Sequence, residues 1–146
     1  MKKLRIALSA ALLFGLDRLT KAWWGGADFG VIPGVLAFRG TRNTGMAFGW
    51  LPGGTAALAI VTALVIVGIV LFLRKKTPPR LLQYGAGLLL GGALGNLFDR
   101  VFLGYVIDFI DPVFAPLFVF NLADAGVTVG AALVALALLL KKEEKN

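Results

Sequence analysis

The side chains most hydrolases depend on are missing or nearly so. The 146 residues contain no cysteine and no histidine, and Ser9 is the only serine. Ser–His and Cys–His nucleophilic catalysis are thereby excluded. So is a zinc site, because His and Cys dominate zinc ligand sets. No disulfide can form. Charge is scarce as well: 16% of residues carry one, against about 25% in soluble domains. Acidic groups are the scarcest, with six aspartates and two glutamates beside fifteen lysines and arginines. Any hydrolytic chemistry must rest on carboxylates.

What is present is apolar surface. Hydrophobic residues make up 58% of the chain and the mean hydropathy is +0.84. This is the composition of an integral membrane protein, read here as a single domain over residues 1–146. The net charge of +7 does not point to nucleic acid, because the basic residues sit in short clusters between apolar runs. Four runs are long enough to span a bilayer as helices, at about 4–24, 55–73, 81–98 and 119–140. The first follows Lys2, Lys3 and Arg5 and resembles a secretory signal peptide, but no convincing cleavage site follows it. It reads as an uncleaved span whose outer end carries Trp23 and Trp24, residues suited to the membrane–water interface.

Between the first two spans, residues 25–54 are too irregular to cross lipid. Short strands with turns at Pro33-Gly34 and Arg39-Gly40 are expected there. The fold class is therefore an all-α membrane protein with a small β/loop subdomain between helices 1 and 2. A second connection, 104–118, is apolar and aromatic and reads as an interfacial loop. The third span carries Gly87, Gly91 and Gly95 at intervals of four, a stripe that allows close helix approach. Asp99 continues the same face.

Lysines and arginines fix the orientation. Ten lie on one side (Lys2, Lys3, Arg5, Arg74, Lys75, Lys76, Arg80, Lys141, Lys142, Lys145) and five on the other (Arg18, Lys21, Arg39, Arg42, Arg100). The positive-inside rule then places both termini in the cytoplasm. Every aspartate falls at or near the outer surface, and both glutamates fall in the inner tail.

Asp124 stands near the head of the last run, three residues after Asn121, which puts both on one helix face. It lies 17 residues before Lys141, about 25 Å of helix against a hydrocarbon thickness of about 30 Å. Water can reach that depth. A helix-end carboxylate touching interfacial water is one reading; a functional intramembrane carboxylate is the other, and the default for such a group. Asp17 and Lys21, at i and i+4, suit an ion pair that offsets the expense of charge at that depth. Asn96 and Asp99 repeat the Asn–Asp spacing with Arg100 beside them. In the second connection, Asp111 precedes Pro112, as at a turn start, whereas Asp108 has apolar neighbours that favour a raised pKa.

Five short strings then share an order. Asp17-Arg18-Leu19-Thr20-Lys21 fits D-x-x-T-K, and Asn43-Thr44-Gly45-Met46-Ala47-Phe48 fits N-x-G-x-A-F. Gly95-Asn96-Leu97-Phe98-Asp99-Arg100 fits G-N-x-x-D-R, Gly104-Tyr105-Val106-Ile107-Asp108-Phe109 fits G-x-V-x-D-F, and Phe120-Asn121-Leu122-Ala123-Asp124 fits F-N-x-A-D. Each is weak alone. Together they resemble the bacterial lipoprotein signal peptidase (signal peptidase II) family. The resemblance implies a globomycin-sensitive intramembrane aspartic peptidase of the bacterial cytoplasmic membrane, with its site towards the extracytoplasmic face. Its substrates would be prolipoproteins, cut before a diacylglyceryl-modified cysteine. It places the catalytic pair on Asp108 and Asp124, and supporting or substrate-binding roles on Asp17, Lys21, Asn43, Gly45, Asn96, Asp99, Arg100 and Asn121. No metal, no other cofactor and no nucleic acid are expected, and the chain is expected to act as a monomer among membrane lipids.

Two carboxylates sharing a proton titrate as a pair, one drawing a proton from water and the other polarising the scissile carbonyl. Asn96 and Asn121 suit the task of orienting them without adding charge. A small ion- or proton-coupled transporter or channel subunit is the competing reading, but it needs carboxylates at several depths, and the inner halves of all four runs lack them. A structural subunit assembled through the glycine stripe leaves Asp108, Asn121 and Asp124 unexplained.

Overall fold

The computed structural model describes residues 2–45, 54–75, 78–115 and 118–143. Four helices carry most of the chain: α1 (Lys2–Trp24), α2 (Thr55–Lys75), α3 (Arg80–Phe102) and α4 (Leu122–Glu143). Three strands, β1 (Asp28–Ile32), β2 (Leu36–Asn43) and β3 (Val106–Pro112), form one antiparallel sheet in the order β1-β2-β3. The second half of the N-x-G-x-A-F string (Met46, Ala47, Phe48), part of the basic turn (Lys76, Thr77) and the end of the tail (Glu144 onwards) lie outside the described residues.

α3 is the centre of the bundle, packed against α1, α2 and α4. Its glycines are the reason. A Cβ on Gly91 would stand 2.6 Å from the carbonyl oxygen of Ala10 in α1, and one on Gly92 only 2.3 Å from that of Ala123 in α4. The anticipated stripe of Gly87, Gly91 and Gly95 does face α1, and a second glycine flank faces α4. Outer faces are apolar and exposed, as lipid-facing surfaces must be. Leu4, Leu8, Leu12, Leu16, Leu19 and Trp23 form one such stripe on α1.

Among the described residues, α2, α3 and α4 are long and apolar enough to cross a membrane. α1 has the length, about 34 Å at 1.5 Å per residue, but six charged residues: Lys2, Lys3, Arg5, Asp17, Arg18 and Lys21.

The sheet differs from expectation in two ways. The Pro33-Gly34 turn is present, with Val35 N–H donating to Ile32 O at 3.0 Å and Gly34 at φ 70°, the Pro-Gly order of a type II turn. No turn occurs at Arg39-Gly40. Gly40 instead sits inside β2, so close to α1's end that a Cβ there would meet the Gly25 carbonyl at 1.9 Å. The second correction concerns 104–118, which is not merely a loop. Its β-branched run Val106-Ile107 and the following residues pair with β2 from Leu36↔Pro112 to Asn43↔Val106. The fold is thus mostly helical with a three-stranded sheet drawn from both connections, rather than all-α with a subdomain between helices 1 and 2.

Residues leading into α4 are held against β3. Phe120 O accepts from Ile110 N at 2.8 Å, and Phe120 N donates to Ile110 O at 3.0 Å. α4 therefore begins at Leu122 and not at Val119, and Asn121 precedes the helix rather than sharing its face with Asp124.

Candidate active site

Asn121 caps α4. Its Oδ1 accepts from Asp124 N at 2.9 Å, while Asp124 Oδ2 accepts from Asn121 N at 3.2 Å. This reciprocal exchange between N-cap and N3 is a capping box, here built from Asn and Asp. The cap fixes the Asp124 carboxylate and leaves the Asn121 side-chain amide free to reach sideways. Asn121 Nδ2 donates to Asp108 Oδ1 at 2.7 Å. One residue thus touches both carboxylates.

Asp108 lies mid-strand in β3 and is 2% exposed. Its Oδ2 accepts from Asn43 Nδ2 at 2.9 Å. Asn43 is held for this purpose by a local turn, Gly45 N donating to Asn43 Oδ1 at 3.0 Å. Asp124 Oδ1 accepts from Asn96 Nδ2 at 2.7 Å. Asn96 Oδ1 in turn accepts from Lys21 Nζ and from Asn121 Nδ2, both at 3.1 Å. Three asparagines from β2, α3 and the head of α4 orient the two aspartates without contributing charge.

Asp108 and Asp124 line one cavity of about 230 Å³, together with Asn43, Asn96, Arg100, Val106, Phe120, Val127 and Thr128. Burial and the nearby Asp124 charge push the Asp108 carboxyl up to about 6, against the lowering effect of the Asn43 and Asn121 hydrogen bonds. A carboxyl poised there can hold a proton near neutrality and also release one. Arg100 forms part of the cavity wall, and among the described residues no carboxylate lies within salt-bridge distance of it.

A second cluster sits directly behind. Lys21 Nζ reaches Asp17 Oδ2 at 2.9 Å and Asp99 Oδ2 at 2.8 Å. Arg18 bridges the same two carboxylates, at 2.7 Å to Asp17 Oδ2 and at 2.5 Å to Asp99 Oδ1. Asp17 Oδ1 accepts from Ala123 N at 3.1 Å, and Asp99 Oδ2 from Ile107 N at 3.2 Å. Two negative and two positive charges therefore tie α1 and α3 to α4 and to β3, next to both aspartates. Asp17 and Asp99 are fully buried and Lys21 is 3% exposed, so this is not a surface ion pair at a helix end. Arg18 was not singled out from the sequence. It occupies a variable position of D-x-x-T-K, and its reach to Asp99, 81 residues away, leaves no local signal.

Asp111 is held apart. Its Oδ2 accepts from Arg39 Nη1 at 2.7 Å, and Arg39 also reaches Asp28 at 3.7 Å. The residue sits in β3 opposite Ala37, immediately before the turn from Pro112 to Ala115. Its partner is a guanidinium, not the backbone. Ser9 Oγ donates to the Arg5 carbonyl at 2.8 Å within α1, far along the chain from the cavity's residues.

Comparison with known proteins shows the family to which the chain belongs. Residues 9–140 match the model of the family described as Signal peptidase (SPase) II. A lipoprotein signal peptidase from Syntrophomonas wolfei is 40% identical over 145 residues, covering 94% of this chain and 96% of the relative. One from Caulobacter vibrioides is 42% identical over 149 residues, covering 93% and 87%. A bacterial membrane enzyme solved by the in meso method at 2.3 Å superposes with a TM-score of 0.87 at 36% identity, over 97% of this chain and 91% of that one. A second, at 1.9 Å, gives 0.81 at 36% identity, over 92% of each chain. With a family match over nearly its whole length and relatives of this similarity, the chain belongs to the signal peptidase II family of peptidases.

Proposed function

We propose that this membrane peptidase removes signal peptides from prolipoproteins by aspartic catalysis, with Asp108 and Asp124 as the catalytic pair. The observation that carries the reading is the cavity itself: two carboxylates face it, each fixed by separate amide donors, and one has a pKa of about 6. The pair holds one proton. Its ionised member takes a proton from a water, and the resulting oxygen nucleophile attacks the scissile carbonyl. The protonated member hydrogen-bonds the carbonyl oxygen as negative charge develops on it. Return of a proton to the amide nitrogen expels the leaving amine. Arg100, which lines the cavity, binds substrate backbone carbonyls.

The bond cut precedes a diacylglyceryl-modified cysteine, whose acyl chains stay in lipid beside the helices. Globomycin competes for the same cavity. α1 acts as a fourth span: its outer charges are neutralised within the cluster of Asp17, Arg18, Lys21 and Asp99, and its inner ones follow the ten-to-five lysine and arginine split. Both termini then face the cytoplasm of a bacterial cell and the cavity faces the extracytoplasmic side. The chain works as one monomeric domain.

The test is turnover of diacylglyceryl-modified prolipoprotein by purified protein, with unmodified prolipoprotein alongside. Cleavage of the modified form alone is expected, with Asp108→Asn and Asp124→Asn each near zero and the double variant little worse, since residues acting as a unit are not additive. An active, folded Asp108→Asn refutes the assignment.

A further inference from the structure

The far end of the sheet is apolar and bare. Phe114 is 75% exposed, and Ile32, Val35, Phe29 and Val31 are each 45–50% exposed. These side chains form one surface. The Pro33-Gly34 turn puts Ile32 beside Val35, and Val113 N donates to Val35 O at 3.0 Å, which brings Phe114 to the same edge. No charge occurs between Phe29 and Phe38 or between Pro112 and Ala115. Of the sheet's charged groups, Asp28, Arg39 and Asp111 pair with one another, and Arg42 and Asp108 lie towards the opposite end of β2 and β3. Soluble surfaces rarely gather so many large apolar groups without a partner.

That surface continues into the lipid-facing side of the bundle. Trp23, 70% exposed, ends the leucine stripe of α1. From it an aromatic run leads onto the sheet: Trp23 to Trp24 at 6.1 Å, Trp24 to Phe38 at 5.0 Å and Phe38 to Phe29 at 5.7 Å between ring centroids. Tryptophan marks the membrane–water interface, so the sheet leaves α1 at that level. We propose that the tip formed by Ile32, Val35 and Phe114 seats in the headgroup–acyl boundary of the bilayer and anchors the sheet to the membrane. A bilayer, not a protein, is the occupant, because the patch joins a surface already facing lipid. The anchor has a purpose at the opposite end of the same strands. There β2 delivers Asn43 to Asp108 of β3, and a tethered sheet holds that contact steady over α4.

The absence of native cysteine makes the test direct. Full-length Val35→Cys and Phe114→Cys, each carrying a nitroxide, are compared in phospholipid nanodiscs with Asp28→Cys on the polar part of the sheet. Relaxation by dissolved oxygen is measured against relaxation by a water-soluble nickel chelate. Oxygen preference at positions 35 and 114, with chelate preference at 28, is expected. Chelate access at either tip site like that at position 28 overturns the proposal. So does shielding from both reagents, which signifies a protein contact. Neither readout depends on turnover, so the result stands apart from the assignment of the catalytic pair.

Discussion

Replacing Lys21 by Met tests whether the charge cluster behind the cavity holds the fold together. The side chain keeps nearly the same volume, so packing is conserved and only the ammonium is lost. In the native protein Asp17, Asp99, Arg18 and Lys21 sum to zero, and Lys21 supplies hydrogen-bond donors to Asp17, Asp99 and Asn96 at 2.8–3.1 Å. Without it, two fully buried carboxylates share Arg18 alone. Breaking a buried pair by removing one partner destabilises by roughly 3–5 kcal/mol. At about 2–4 °C per kcal/mol for chains near this size, the melting temperature should fall by roughly 6–20 °C. Turnover should fall with it, since Ala123 and Ile107, next to the two aspartates, hang from the same carboxylates. Adding Asp99→Asn restores neutrality and should recover part of the loss, an interaction visible in a double-mutant cycle. The assays are thermal unfolding in detergent and turnover of lipidated substrate. If Lys21→Met left the melting temperature unchanged while abolishing turnover, the stabilising role would be refuted, and Lys21 would act on the chemistry through Asn96.

The pH profile should show an alkaline limb near pH 6, where the pair loses its proton. Removing the Asn43 hydrogen bond, which favours ionised Asp108, should move that limb upward in Asn43→Ala; a limb that stays or moves down contradicts the electrostatics. The sign for stability follows from linkage. A carboxyl raised from 3.8 to about 6 contributes stability below pH 4 that is lost as pH rises through 6, so the melting temperature of the native protein should drop across that window, and less in Asp108→Asn. Gly92→Ala puts a methyl 2.3 Å from the Ala123 carbonyl and should destabilise by several kcal/mol, as overpacking at backbone does. Gly15→Ala, with nothing within 4 Å, should be neutral or stabilising by up to about 1 kcal/mol; thermal unfolding separates the two. Asp111→Asn should retain most turnover, since its carboxylate faces Arg39 and not the cavity.

Helices were legible because length and apolarity alone define them, and the glycine stripe because small residues at intervals of four have one use in a bundle. The aspartates were legible because so few polar groups interrupt the runs. Three things were hidden. β3 looked like a loop because its pairing partner lies more than sixty residues back, in β2. Asn121 looked helical because capping depends on where the backbone turns, and that is set by the Phe120 bridge to Ile110. The Asp17–Lys21 spacing suggested an ion pair within one helix. The spacing cannot reveal that Asp99 and Arg18 close over it and exclude water. Local periodicity reports on single elements; the site is made where elements from distant parts of the chain meet.

The bridge between Phe120 and Ile110 also bears on how the molecule is assembled. Asn96, Asp108, Asn121 and Asp124 fall within one continuous segment, and all their mutual hydrogen bonds span 28 residues or fewer. Contacts that close short loops form at small entropic expense and early. The contacts among these four residues therefore need only the α3–β3–α4 segment, whereas Lys21 and Asn43 reach Asn96 and Asp108 from 75 and 65 residues away. The aspartate pair is a local construction of the carboxy-terminal half of the chain, and the amino-terminal part closes on it from outside as two clasps.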